Sequence, residues 1–165
     1  GPHFGETGFF RLAFEPLGAG QLEDYQRRFA PDRSIEQLIA LAAQVPAGSG
    51  PTGDRGGARS DYEHGVGMRF LLESIAATHR ALRERVAGAG TVGRIVATGG
   101  GARSAVWLQI KADMLGVPIV TTTCPERACL GAALLAGVAA GTFRDIAEAS
   151  DQMVHESECY RPLGH

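Results

Sequence analysis

Long apolar runs are missing from this chain of 165 residues. Its longest candidate, Ala128–Ala140, falls short of the roughly 20 residues a bilayer span requires and is dominated by Ala and Gly. No stretch reads as a secretory signal, so no membrane partner is expected. Surplus charge is also missing: 16 Lys and Arg face 18 Asp and Glu, a net charge of −2. Such a balance gives no electrostatic hold on nucleic acid or an anionic surface. The basic cluster His79–Arg85 reads as a solvated helix face. Cysteine is scarce and odd in number: Cys124, Cys129 and Cys159 have no framework spacing. That pattern excludes a disulfide scaffold and fits free thiols in a reducing, cytoplasmic setting. With no CxxC pair and only His155 nearby, it builds no zinc site either.

What is present suits a globular chain with one well-buried core: 44% of residues are hydrophobic. Gly1–Pro2–His3 reads as a cloning remnant, and the C-terminal Tyr160–His165 as an abrupt stop, so a fragment is expected. Residues 1–45 form a helical lead-in, with helices over Gln21–Phe29 and Ser34–Ala43. The second opens on a capping box, Ser34-x-x-Gln37. Residues 46–57, rich in Gly and Pro, read as a loop. Residues 58–165 form the core unit, which starts with a long helix over Asp61–Val86. Met68, Leu71, Leu72, Ile75, His79, Leu82 and Val86 recur there at three- and four-residue steps, predicting one buried stripe.

Beyond it the pattern predicts a strand over Arg94–Thr98 and a helix over Ser104–Leu115, closed by Gly116. Val106, Trp107, Ile110 and Met114 share a face of that helix. A second strand is expected over Pro118–Thr123. A small-residue helix follows over Arg127–Ala140, of a composition that usually packs tightly against a sheet or another helix. A short helix over Phe143–Ala149 and an edge strand over Met153–Glu156 complete the chain. Alternation of helix and strand argues for a layered α/β domain, and there is no internal repeat.

The junction VATGGGARSAVW places Gly99, Gly100 and Gly101 between strand and helix. Three glycines cost backbone entropy unless a positive φ, close packing or a ligand against the backbone requires them. A helix N-terminus there, with Ser104 as cap and Arg103 beside it, favours phosphate or another anion. Neither familiar fingerprint is met. A P-loop needs Lys at the helix start, and the dinucleotide motif needs a third glycine where Ser104 stands and an acidic residue about twenty positions on, where VTTT is found. The junction alone therefore supports a tight turn or a nucleotide site.

GGGARSAVWLQIKADMLGVPIV followed by PERACLGAALLAGVAAG resembles the C-terminal domain signature of the FGGY carbohydrate kinases. That family carries a Gly-Gly-Gly-Ala turn, a Gln-Ile-x-Ala-Asp-x-Leu-Gly-x-Pro-Val helix and a Leu-Gly-Ala-Ala-x-Leu-Ala-Gly helix. Gly56–Pro162 is well covered by the likeness, and RFLLESIAATHRAL is similar to the family's preceding helix. The resemblance implies an actin-like, ribonuclease-H-type fold in which two domains clamp ATP and a sugar. It implies that Gly99, Gly100, Gly101, Ala102, Arg103 and Ser104 lie against the nucleotide, ATP or ADP, with Mg²⁺ carried on its phosphates. Gln109, Asp113 and Glu126 match the family too and are read as structural, Asp113 as a local hydrogen-bond partner inside a helix rather than a catalytic base.

The family's catalytic aspartate and its phosphate-binding Gly-Thr segments have no counterpart here. The expectation is the ATP-binding part of a sugar kinase, not competent alone, whose sugar is selected elsewhere; a ketopentose such as xylulose or ribulose is the family-level choice. The competing expectation is a non-catalytic actin-like module that dimerises, as a homodimer, or regulates. A Rossmann-type oxidoreductase fragment is disfavoured by the failed fingerprint.

Overall fold

A computed structural model describes residues 11–15, 18, 20–50, 59–88, 90–124 and 126–164. Most of the loop expected over residues 46–57 lies outside the described residues, as does the extreme N-terminus. The order of elements is α1 (Gly20–Phe29), α2 (Ile35–Ala43), α3 (Asp61–Ala87), β1 (Ile95–Val96), a 3₁₀ turn (Gly100–Arg103), α4 (Ala105–Leu115), β2 (Ile119–Thr122), α5 (Arg127–Ala139), α6 (Ile146–Met153) and β3 (Glu156–Tyr160).

Local chemistry accounts for where the helices start. Ser34 Oγ accepts from the Gln37 amide at 3.2 Å while the Ser34 amide donates to Gln37 Oε1 at 2.8 Å. A second reciprocal box opens α3, between Ser60 and Glu63. The two satisfy donors that a helix start otherwise leaves unpaired. Gly88, with φ of 58°, ends α3.

The helix α3 is the spine of the molecule. Met68, Leu72, Ile75 and Ala76 are buried in one core with Leu22 of α1, Leu38 and Ala42 of α2, and Trp107 and Ile110 of α4. Two interior glycines, each costing roughly 1 kcal/mol of helix propensity relative to Ala, let neighbours approach. A β-carbon on Gly65 would stand 2.8 Å from the Leu41 carbonyl of α2, and one on Gly67 would strike the Tyr25 ring of α1. The expected stripe is only half enclosed. Its first part is mostly buried, but His79, Leu82 and Val86 are only half-buried and line a cavity whose other walls include Lys111 and Leu115 of α4.

Three strands form a sheet in the order β1-β2-β3. The parallel pair aligns Ile95 with Ile119 and Val96 with Val120, and β3 runs antiparallel to β2, with a register irregularity between Val120 and Thr122. The short β1 is extended by bonds from Ile95 N to Pro118 O at 2.9 Å and from Ala97 N to Val120 O at 2.8 Å. Between this sheet and α3 lies α4, so it is buried on two faces. Trp107, Ile110 and Leu115 meet the helical core, while Leu108 and Ala112 meet Ile119 of the sheet. The shared face expected of Val106, Trp107, Ile110 and Met114 is the one on the helical core, with Val106 and Met114 partly buried there; the second face, toward the sheet, goes beyond that expectation.

The small-residue helix α5 packs on another helix, α6, as its composition predicts, although among its described residues Leu134 alone is buried. Its close contact is local: a β-carbon on Gly137 would meet the Phe143 ring at 2.7 Å. The last elements are displaced toward the C-terminus. Asp145 caps α6, its carboxylate accepting from Glu148 N at 2.9 Å, so the helix runs to Met153 and the strand starts at Glu156 rather than at Met153. An Asp-x-x-Glu signal in the sequence marks that start.

Candidate functional site

The glycine run divides its work between its members. Gly99 has φ of 78° and ψ of −167°, a conformation that side chains resist, and caps the 3₁₀ turn. The turn closes through Ala102 N donating to Gly99 O at 3.0 Å. Gly101 is packed, since a β-carbon there would lie 3.2 Å from Trp107 Cζ3. Neither reason holds for Gly100: a β-carbon on it would meet nothing within 4 Å, and its φ is not positive. Ser104 then caps α4, its hydroxyl accepting from Trp107 N at 3.3 Å.

Three cavities meet at this turn. The one toward the lead-in helices, about 530 Å³, has apolar walls from Leu22 of α1 and Ile35 and Ile39 of α2, facing Gly100, Arg103 and Ser104. A polar groove of about 510 Å³ runs past the ends of β1 and β2, with Thr98, Gly99, Gly100, Arg103, Thr121 and Arg127 on its walls. The third, about 370 Å³, lies beneath Gly101 and Ala102 among His79, Leu82, Ile95 and Lys111. Gly100 and Arg103 thus stand between an apolar chamber and a polar one. The turn brings Gly99 through Ser104 together as the sequence requires. The α1 and α2 wall carries no sequence signal of its own, because the capping box that starts α2 says nothing of what it faces.

Charge at the site is mixed: Glu23 and Glu36 line the chamber and Glu126 and Glu158 the polar groove, alongside Arg103 and Arg127. Arg103 is exposed and pairs with no carboxylate among the described residues. Arg127 is anchored by its Nε donating to Cys124 O at 2.7 Å. Lys111 is largely buried beside Gly101, its Nζ 4.0 Å from the Trp107 ring centroid, and burial pushes its amine down to about 8. Asp113 takes no part in the site. Its Oδ1 accepts from Gln109 Nε2 at 2.9 Å and from Leu163 N at 2.8 Å, and Gln109 also donates to Arg161 O at 2.8 Å. Both residues tie the C-terminal segment to α4, as expected of them. Glu126 caps α5 by position, without a side-chain cap bond, and lines the polar groove.

Among the described residues, no group of three His, Cys, Asp or Glu is placed to hold a metal ion. Cys124, Cys129 and Cys159 are free thiols. No described helix is long and apolar enough to cross a membrane.

The arrangement therefore offers exposed backbone at Gly100, the Arg103 guanidinium and a largely apolar cavity of about 530 Å³ beside them. Residues 53–140 match the C-terminal domain of the FGGY family of carbohydrate kinases. Xylulose kinase of Bacillus subtilis (strain 168) is 26% identical over 180 residues, covering 97% of this chain and 36% of that protein. Glycerol kinase of Ralstonia pickettii (strain 12J) is 40% identical over 97 residues, 58% of this chain and 19% of that one. The crystal structure of a ligand-bound xylulose kinase from Lactobacillus acidophilus superposes with a TM-score of 0.74 at 22% identity, over 88% of this chain and 34% of its own. The last likeness supports the expected fold. The chain spans about a third, or less, of the length of these relatives.

Proposed function

The chain belongs to the FGGY family of carbohydrate kinases through its C-terminal domain, and on that footing we propose that it is the ATP-binding part of a kinase that transfers the γ-phosphate to a sugar hydroxyl. The observation that carries this reading is Gly100. It is the one glycine of the turn that neither conformation nor packing requires, and it faces both chambers. In this reading the base enters the chamber walled by Leu22, Ile35 and Ile39, with Arg103 and Ser104 at its edge. The phosphates run over Gly99–Ala102 toward the polar groove, where backbone N–H groups and Arg103 meet their charge.

Phosphoryl transfer depends on positioning the acceptor, the metal and the γ-phosphate together. In this reading Mg²⁺ arrives on the nucleotide, and the proton-accepting aspartate and the sugar contacts belong to further polypeptide. Xylulose and glycerol kinases are both among the relatives; a ketopentose is favoured, since the xylulose kinase match extends over nearly the whole chain. Free thiols suit a cytoplasmic setting.

Calorimetric titration of ADP and ATP into the chain, beside Gly100→Ala, tests the reading. A partial cleft should bind in the range of about 0.1–1 mM, roughly 4–5.5 kcal/mol. Affinity lost in Gly100→Ala with the fold intact supports the site; binding indifferent to that substitution removes it. Vigorous sugar phosphorylation by the chain alone would contradict the assignment of catalysis to further polypeptide.

A second reading, self-association without catalysis, is favoured by one observation: α5 buries only Leu134 and leaves Leu135 43% exposed. Sedimentation of the chain and of Leu135→Glu distinguishes it. A dimer abolished by the charge supports an α5 interface, and a monomer throughout rejects it.

A further inference from the structure

Gly101 borders both the base chamber and the cavity below it, and the Trp107 indole packs against that glycine on the chamber side, with Lys111 on the side of the lower cavity. The indole lines the chamber, lies 3.2 Å from the β-carbon position of Gly101 and has Lys111 Nζ 4.0 Å from its ring centroid. Its own polar handle holds nothing: Nε1 is buried without an acceptor among the described residues. The ring is therefore positioned by contacts on its faces and edge. An ammonium over an indole face is attracted by the ring quadrupole, and more strongly where water is partly excluded.

We propose that Lys111 is a positioning residue for the chamber beside the glycine turn: its ammonium holds the Trp107 ring under Gly101, and loss of its proton loosens that wall. The effect on ligand binding rests on the nucleotide reading above, whereas the brace itself does not. Lys111 occupies position i+4 from Trp107, one helical turn along α4, so the pair forms within one rigid element. Around the amine, the charged and titratable groups are few. His79 and Arg83 of α3 line the same cavity, Asp113 on α4 is occupied by Gln109 and Leu163, and β1 and β2 contribute only apolar or backbone surface there. Glu15 acts on His79. Arg83 is engaged with the Leu115 carbonyl. Among the described residues no carboxylate is paired with Lys111, and the indole face lies against its ammonium. Burial brings the amine down to about 8, within reach of ordinary buffers, while the indole face favours the charged form.

Trp107 is the only tryptophan of the chain, so its emission reports this wall alone. The test follows tryptophan emission of the whole chain, of Lys111→Met and of Lys111→Arg across pH from about 7 to 9.5, each with Cys124, Cys129 and Cys159 replaced by Ser because thiols titrate in the same window. The expected result is a transition in the chain that keeps Lys111, absent from Lys111→Met, with Lys111→Arg keeping the low-pH spectrum throughout. ADP affinity, measured at both ends of the range, should fall severalfold with rising pH in the native chain, stay constant in Lys111→Arg and be low at both ends in Lys111→Met. A transition that survives in Lys111→Met, or native-like ADP affinity of that variant at both ends, overturns the proposal. If no form binds ADP, the nucleotide reading fails, and the emission transition by itself decides the brace.

Discussion

Trp107 sits against Gly101 so closely that a β-carbon on the glycine would lie 3.2 Å from the ring, whereas the adjacent Gly100 faces nothing within 4 Å. Two neighbouring glycines in one turn thus exist for different reasons, and a third, Gly99, for yet another. Substitution separates the three.

Gly100→Ala should leave stability within about 0.5 kcal/mol of the native chain, as for an open surface position, while weakening ADP binding at least tenfold. Gly99→Ala places a side chain at φ of 78°, at a cost of about 1–2 kcal/mol. Gly101→Val crowds the indole and should cost about 1–3 kcal/mol, as overpacking does. Urea unfolding and calorimetry on the three variants check the pattern; equal stability losses at all three would mean that the turn is only a turn.

Gly65→Ala should destabilise more than its helix propensity gains. Alanine favours a helix interior by roughly 1 kcal/mol, but the new methyl would stand 2.8 Å from the Leu41 carbonyl, a backbone atom that cannot rotate away. The net loss expected is about 1–3 kcal/mol, read as a lower midpoint in urea. An unchanged or raised midpoint would show that α2 and α3 part without penalty.

Asp113→Ala tests whether the carboxylate is structural. Removing it frees Gln109 Nε2 and Leu163 N, worth about 1–2 kcal/mol for bonds to a charged acceptor in a partly exposed setting. Hydrogen exchange at the amides of residues 161–163 should quicken while ADP affinity stays as it was. Lost nucleotide binding with a protected C-terminal segment would reverse the assignment.

Two pH windows follow from buried bases. His64 is held below its ordinary 6.5, first by burial and then by the charges of Arg33 and Arg59. The unfolded chain therefore binds more protons just below about 6.5, so stability falls as pH drops through that range. Lys111 lies at about 8 in the folded chain against 10.5 when free, so stability rises with pH between those values. Unfolding midpoints in His64→Leu should lose part of the acid slope, and those in Lys111→Met the alkaline one. For Lys111 the alkaline gain in stability runs opposite to the expected loss of ADP affinity, which keeps the two effects separable.

Signals that act within a few residues were legible in the sequence. The Ser34–Gln37 box, the Gly116 stop and the switch from β-branched residues to glycine at Val96–Gly101 placed α2, α4 and the turn. The motif run between Gly99 and Gly137 was enough to point to the family. The same local chemistry marks the start of α6, where Asp145 caps the helix through the Glu148 amide just beyond Phe143. What required the folded chain was everything that depends on which surfaces meet. Periodicity marked the α3 stripe as apolar along its length, but only packing decides that Met68 and Ile75 are covered and Val86 only in part. Composition made α5 look suited to close packing, yet its partner was not fixed by its own residues. The α1 and α2 wall of the chamber and the placing of Trp107 beneath Gly101 are contacts between segments, set by how helices settle on a common core, and such pairings leave no mark in the spacing of one segment alone.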